Sequence, residues 1–120
     1  MSVKLLLNPA ADSRACVHPD TGVTFMVRPI SPEQYDEIRR ASLGKDRTLD
    51  SAKWGANFAV AAIEDWGDEI GDKNGPLPCT EENLRTFGRN QAINIMPWII
   101  DQACSLDQFR IAEEANAKNA

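Results

Sequence analysis

The chain has 120 residues, of which 42% are hydrophobic and 26% charged, and its formal net charge is -5. That length fits one domain burying roughly 65% of its unfolded surface, and the ordinary balance of apolar and charged residues excludes wholesale disorder. Thirteen basic against eighteen acidic residues repel a phosphate backbone, so nucleic acid is not an expected partner.

The other broad classes are narrowed by a few residue types. Arg39 and Arg40 are adjacent, and the remaining basic residues are scattered, as on a solvated helix face. Cys16, Cys79 and Cys104 are odd in number and widely spaced, which fits reduced thiols better than a disulfide framework or a zinc site. The one histidine, His18, precedes Pro19 in an expected turn and is expected to be exposed. Met1 to Leu7 is too short for the apolar region of a signal peptide. No segment approaches the roughly 18 apolar residues that span a bilayer. No membrane partner is therefore expected, and the expected compartment is the cytoplasm.

In chain order, residues 1–13 read as an arm in which Leu5 to Leu7 can add an edge strand, residues 14–117 as one domain, and 118–120 as a tail. Two β-like runs, 15–18 and 23–28, flank Pro19-Asp20-Thr21-Gly22 and predict a hairpin, with Pro29 ending its second strand. Ser31-Pro32-Glu33-Gln34 carries a capping box with proline at the first helical position and predicts a helix over 31–43, stopped by Gly44. Ile30 and Tyr35 are spaced as a hydrophobic staple across that start.

Asp50 or Ser51 caps a second predicted helix over 51–66, so apolar around most of its circumference that it is either central in the core or has a second face for a partner. Residues 67–79 are rich in Gly, Pro and acids and predict a loop. Thr80 caps a short helix over 80–87 with Gly88 at its end, and a last helix is predicted over 90–115, where Pro97 either kinks it or opens its second part. The expected fold class is α+β and mostly helical: an N-terminal β-hairpin followed by about four helices.

Chemistry is hard to find in this sequence. Asp72, Asn74, Gly75 and Glu81 fit four positions of a calcium-binding loop, but Ile70 stands where the first carboxylate must coordinate. His18 has no nucleophile elbow around it, and the acid pairs Glu64-Asp65 and Glu113-Glu114 are neighbours that a helix splays about 100° apart. No phosphate-binding glycine loop is present. The reading is of a protein without catalysis, metal or cofactor. What stands out is Trp54, Trp66 and Trp98, each on or at the end of an apolar helix pattern. Core packing accounts for most of them, and Trp66, beside the glycine-rich loop, is the one read as a partner anchor.

The run Gly22-Val23-Thr24-Phe25-Met26-Val27-Arg28-Pro29-Ile30-Ser31, with the capped helix that follows, resembles the opening of phage tail assembly chaperones. Ala62-Ile63-Glu64-Asp65-Trp66-Gly67, the stretch from Asn74 to Leu84, and Glu113 to Asn119 are similar to later parts of that family, whereas Cys79 and residues 1–13 depart from it. The resemblance implies a chaperone that holds the tape measure protein soluble while tail tube protein gathers around it, is absent from the finished particle, and in many relatives has a longer frameshifted product. A structural tail completion or connector subunit retained in the virion is the alternative. Together with the surplus apolar helix surface, which also allows self-association, the resemblance points to a client surface containing Trp66, Leu77, Ile95, Trp98, Leu106 and Phe109.

Overall fold

The computed structural model describes Lys4, Leu5, Leu7 and residues 13 to 105. The expected hairpin is present as β1 (Arg14–Val17) and β2 (Thr24–Val27), paired antiparallel with Cys16 opposite Phe25. Its loop closes through His18 N–H to Val23 O and Gly22 N–H to His18 O, both 2.8 Å, and Gly22 takes φ +74°, the left-handed region that a glycine enters without penalty. His18 is not exposed as expected. Its Nδ1 accepts the Thr21 N–H at 3.3 Å, and its ring stands edge-on to Trp98 with centroids 5.0 Å apart, so a residue distant in sequence buries it.

The helix α1 (Pro32–Ala41) begins as its sequence dictates: Gln34 N–H donates to Ser31 Oγ at 3.2 Å, and Ser31 N–H donates to Gln34 Oε1 at 2.9 Å. Because both bonds are local, Ser31→Ala is expected to cost about 1 kcal/mol, read as a lower urea midpoint with an unchanged denaturant slope. The helix ends earlier than predicted, at Ser42 and not at Gly44. The Ser42 hydroxyl, fully buried, donates to Ile38 O at 2.6 Å and accepts from Asn57 Nδ2 at 3.0 Å, a tertiary tie that closes the last turn.

Asp50 caps α2 (Ser51–Ala62) by accepting from the Ala52 and Lys53 N–H groups at 3.0 and 3.1 Å. The prediction that this helix reaches residue 66 is corrected, because it stops at Ala62 and β3 (Ile63–Trp66) follows as the third strand, antiparallel to β2. The open edge of β2 needs a hydrogen-bonding partner, and Ile63 is a β-branched residue that packs well in a strand. Arg28 N–H to Ala62 O, 2.6 Å, fixes the junction.

Residues 67–79 contain a minimal hairpin, β4 (Gly71–Asp72) with β5 (Gly75–Pro76). Next comes α3 (Glu81–Asn90), capped by Thr80 as predicted but running through Gly88 instead of ending there. Gly88 lies where α3 crosses α2 at Gly55: a Cβ on either glycine would fall 2.1–2.2 Å from the other's carbonyl oxygen. The glycine is a contact and not a stop signal.

The long helix expected over 90–115 is replaced by turns at 91–95 and α4 (Met96–Ala103), with Pro97 in its first turn, where the missing N–H costs nothing. Residues 106–115 of that expected helix lie outside the described residues. Two of the last carbonyls of α4 are satisfied from the N-terminal half, Gln102 O by Arg14 Nη2 and Ala103 O by Ile30 N–H, both at 2.9 Å.

Among the described residues the result is an α+β fold in which β1-β2-β3 and α1 to α4 enclose a core containing Phe25, Val27, Phe58, Ile63, Met96 and Ile99. About 42% of it is helix and 20% strand, so "mostly helical" overstates the helix content. The central position weighed for α2 is the observed one, since Gly55, Ala56, Phe58, Ala59 and Ala62 are all buried. Among the described residues no helix is long and apolar enough to cross a membrane.

Candidate functional site

Of the residues expected to form one client surface, the four that are described, Trp66, Leu77, Ile95 and Trp98, are each partly or wholly packed against the protein's own core or loop. Trp66 is 8% exposed on β3, and its indole Nε1 donates to Leu77 O at 2.9 Å, so it ties the 67–79 segment to the core and cannot serve as an open anchor. Trp98 is half-buried on α4 between His18 and Phe25. The two tryptophans are linked through the interior by ring contacts, Trp98 to Phe25 at 6.1 Å, Phe25 to Phe87 at 5.8 Å and Phe87 to Trp66 at 5.5 Å. Ile95 packs half-buried against the core, Leu77 is 36% exposed, and Leu106 and Phe109 lie outside the described residues. Trp54, the third tryptophan, packs on Tyr35 and Phe58.

An open apolar groove lies elsewhere. Ile30, Ser31, Pro32, Tyr35 and Cys104 line an open groove of about 310 Å³ where the start of α1 meets the end of α4. The Ile30 N–H bond to Ala103 O joins its two sides. Tyr35, 37% exposed, is held edge-on against Trp54 and Phe58 with centroids 5.3 and 5.9 Å away, which sets the far wall. Ile30 and Tyr35 were legible as a staple, but no local signal connects them to Cys104.

The groove's chemistry is apolar. The Ser31 hydroxyl is already engaged in capping α1. Cys104 is exposed at the end of α4, but partial desolvation by its neighbours, assisted by the nearby Asp101 carboxylate, pushes its thiol above the ordinary value, so at neutral pH it is an uncharged thiol. Cys79 is raised by burial and by Asp65, and Cys16 by burial against the opposing influence of Arg14. None of the three is an activated thiolate of the kind that a positive neighbour or a helix N-terminus creates. Such a groove recognises an apolar side chain better than a polar ligand, which would leave its own groups unpaired. Among the exposed apolar residues, Ile93 at 82% is the most open on the α3–α4 connection.

Asp72 of the rejected calcium frame accepts the Asn74 N–H at 2.8 Å within the β4–β5 turn. Among the described residues there is no group of three or more His, Cys, Asp or Glu side chains placed to hold a metal ion. Compared with family models, curated proteins and solved structures, the chain matches none.

Proposed function

We propose that this protein works by binding other proteins without catalysis and, more narrowly, that it is a phage or prophage tail assembly chaperone acting in the host cytoplasm. The observation that carries the binding reading is the apolar groove of Ile30, Pro32, Tyr35 and Cys104 on an acidic molecule. An apolar helical segment of a client can place a side chain there, while the net charge of -5 keeps the complex dissolved. The narrower reading rests on the resemblance from Gly22 to Asn119, which makes the tape measure protein the client and the tail tube protein the second partner. The groove replaces the Trp66-centred surface as the client site.

Two substitutions test the placement without touching the core. Pro32→Glu puts an acid in the first turn of α1, and Cys104→Lys puts a cation at the end of α4, so each suits its helix dipole while placing a charge in the groove. Leaving that charge desolvated against an apolar client is expected to cost about 2 kcal/mol, roughly a thirtyfold loss of affinity. Co-expression with a tape measure protein reads the effect: wild type and the distant control Lys45→Glu keep the client soluble, and the groove variants let it aggregate. Equal rescue by folded groove variants sinks the placement. Recovery of the chain in purified virions favours the retained tail subunit over the chaperone.

A further inference from the structure

The connection between α1 and α2 carries positive charge that the fold does not need. Residues 39–53 hold five basic residues, Arg39, Arg40, Lys45, Arg47 and Lys53, against Asp46 and Asp50, a net +3 on a chain of net charge -5. Both acids are engaged locally: Asp46 accepts the Thr48 N–H and hydroxyl at 3.2 and 2.6 Å, and Asp50 caps α2. Arg40 pairs with Asp36 at 3.5 Å, whereas Arg39, Lys45, Arg47 and Lys53 are exposed and form no ion pair among the described residues.

Two of these cations sit where stability favours another residue. Among the described residues only Arg47 combines a side chain with positive φ, at +64°, a conformation that a Cβ makes costly and that glycine or asparagine enters more easily. Lys53 is the third residue of α2, in a first turn that holds no acid, so its charge faces the positive end of the helix dipole. Arg39 and Arg40, in the last turn of α1, suit theirs. The turn that presents Arg47 is closed by Gly44 N–H to Thr48 O at 2.8 Å, Arg47 N–H to Gly44 O at 3.0 Å and a bridge between Leu43 and Leu49, so little backbone is left to order on binding. Leu49, 43% exposed, adds an apolar contact beside the charges.

We propose that Arg47, Lys53 and Leu49 form a docking surface for an acidic protein segment that carries an apolar residue. This end of α1 is opposite the groove, and the partner is distinct from the groove's client. Unpaired cations attract carboxylates, and Leu49 rewards an apolar side chain that a phosphate backbone lacks. The acidic remainder of the molecule repels a long polyanion, which favours a short protein segment over nucleic acid.

The test uses the full chain and, as probe, a fluorescein-labelled peptide of Glu-Glu-Leu repeats followed by fluorescence anisotropy at low salt. Arg47→Asn with Lys53→Glu is expected to weaken binding about tenfold, because one attraction is removed and another reversed. The urea midpoint of that variant should hold or rise, since asparagine tolerates the left-handed region and an acid suits the start of α2. Lys73→Glu, the same reversal at an exposed cation of the β4–β5 turn, leaves the affinity within about twofold. Raising NaCl from about 50 to about 300 mM is expected to weaken binding about tenfold through screening. No saturable binding by wild type, wild-type affinity in the folded double variant, or an equal loss in Lys73→Glu overturns the proposal. A Glu-Glu-Ser peptide should bind about threefold more weakly, and equal affinity for it, or tighter binding of a single-stranded oligonucleotide of matched charge, overturns the choice of a protein segment. Sedimentation of the chain alone should show a monomer; self-association that the double variant abolishes would name a second copy as the occupant and overturn the separate partner.

Discussion

Gly88→Ala is expected to lower Tm by at least about 12 °C, corresponding to about 3 kcal/mol at the upper end of ordinary overpacking costs. The sign is the informative part. In an exposed helix interior the same change gains about 1 kcal/mol, because alanine loses less backbone entropy than glycine. Here the new methyl would meet Gly55 O at 2.2 Å and the Ala59 Cβ at 2.8 Å, and backbone has no rotamer through which to yield. The reciprocal approach, from a Cβ on Gly55 to Gly88 O, is 2.1 Å, so either substitution must push α2 and α3 apart. Since α2 is the central helix, that separation propagates to Phe58 and Ala62. Thermal denaturation followed by far-UV circular dichroism reads the effect, and a rise in Tm would refute the close crossing.

Trp66→Ala is expected to cost about 3 to 5 kcal/mol, the range for removing a large buried aromatic side chain. Its ring contacts Phe87 and its indole N–H holds Leu77 O, so truncation opens a cavity and also releases the 67–79 segment. Trp66→Phe separates the two losses: most of the packing returns, and the unpaired Leu77 carbonyl leaves about 1 to 3 kcal/mol. Urea unfolding should therefore rank wild type, Phe and Ala in that order. A Trp66→Ala protein that loses its client has lost its fold first, whereas a folded Trp66→Phe protein should bind as wild type does. Stability of Trp66→Ala within about 0.5 kcal/mol of wild type would return Trp66 to the surface.

Most of the local punctuation was legible because its physics is local. The Ser31 capping box, the Asp50 and Thr80 caps and the turn from Pro19 to Gly22 involve groups within five residues of one another. The errors fall where a distant partner decides. Ile63 to Trp66 continues an apolar pattern that suits either helix or strand, and the vacant edge of β2 selects strand. Gly88 looks like a terminator until Gly55 is seen beneath it. His18, in a turn, looked solvent-facing without knowledge of Trp98. Core packing was the expectation for most of the tryptophans, and Trp66, read as the partner anchor, is held inside by Phe87 and Leu77.

The candidate site shows the same division. By itself the sequence determined an acidic chain, the α+β class, an N-terminal hairpin and a helix start at Ser31 with Ile30 and Tyr35 across it, because composition, periodicity and hydrogen bonds between near neighbours fix these. Only the tertiary structure decided that Trp66 and Trp98 belong to one interior aromatic chain, and that Ile30 and Tyr35 line a groove completed by Cys104. The reason is that burial is a property of pairs of surfaces. A single helix or strand specifies which face is apolar, but which surface covers that face, and which stretch stays open, is settled when α2, α3 and α4 pack on the same sheet and α1 packs on α2.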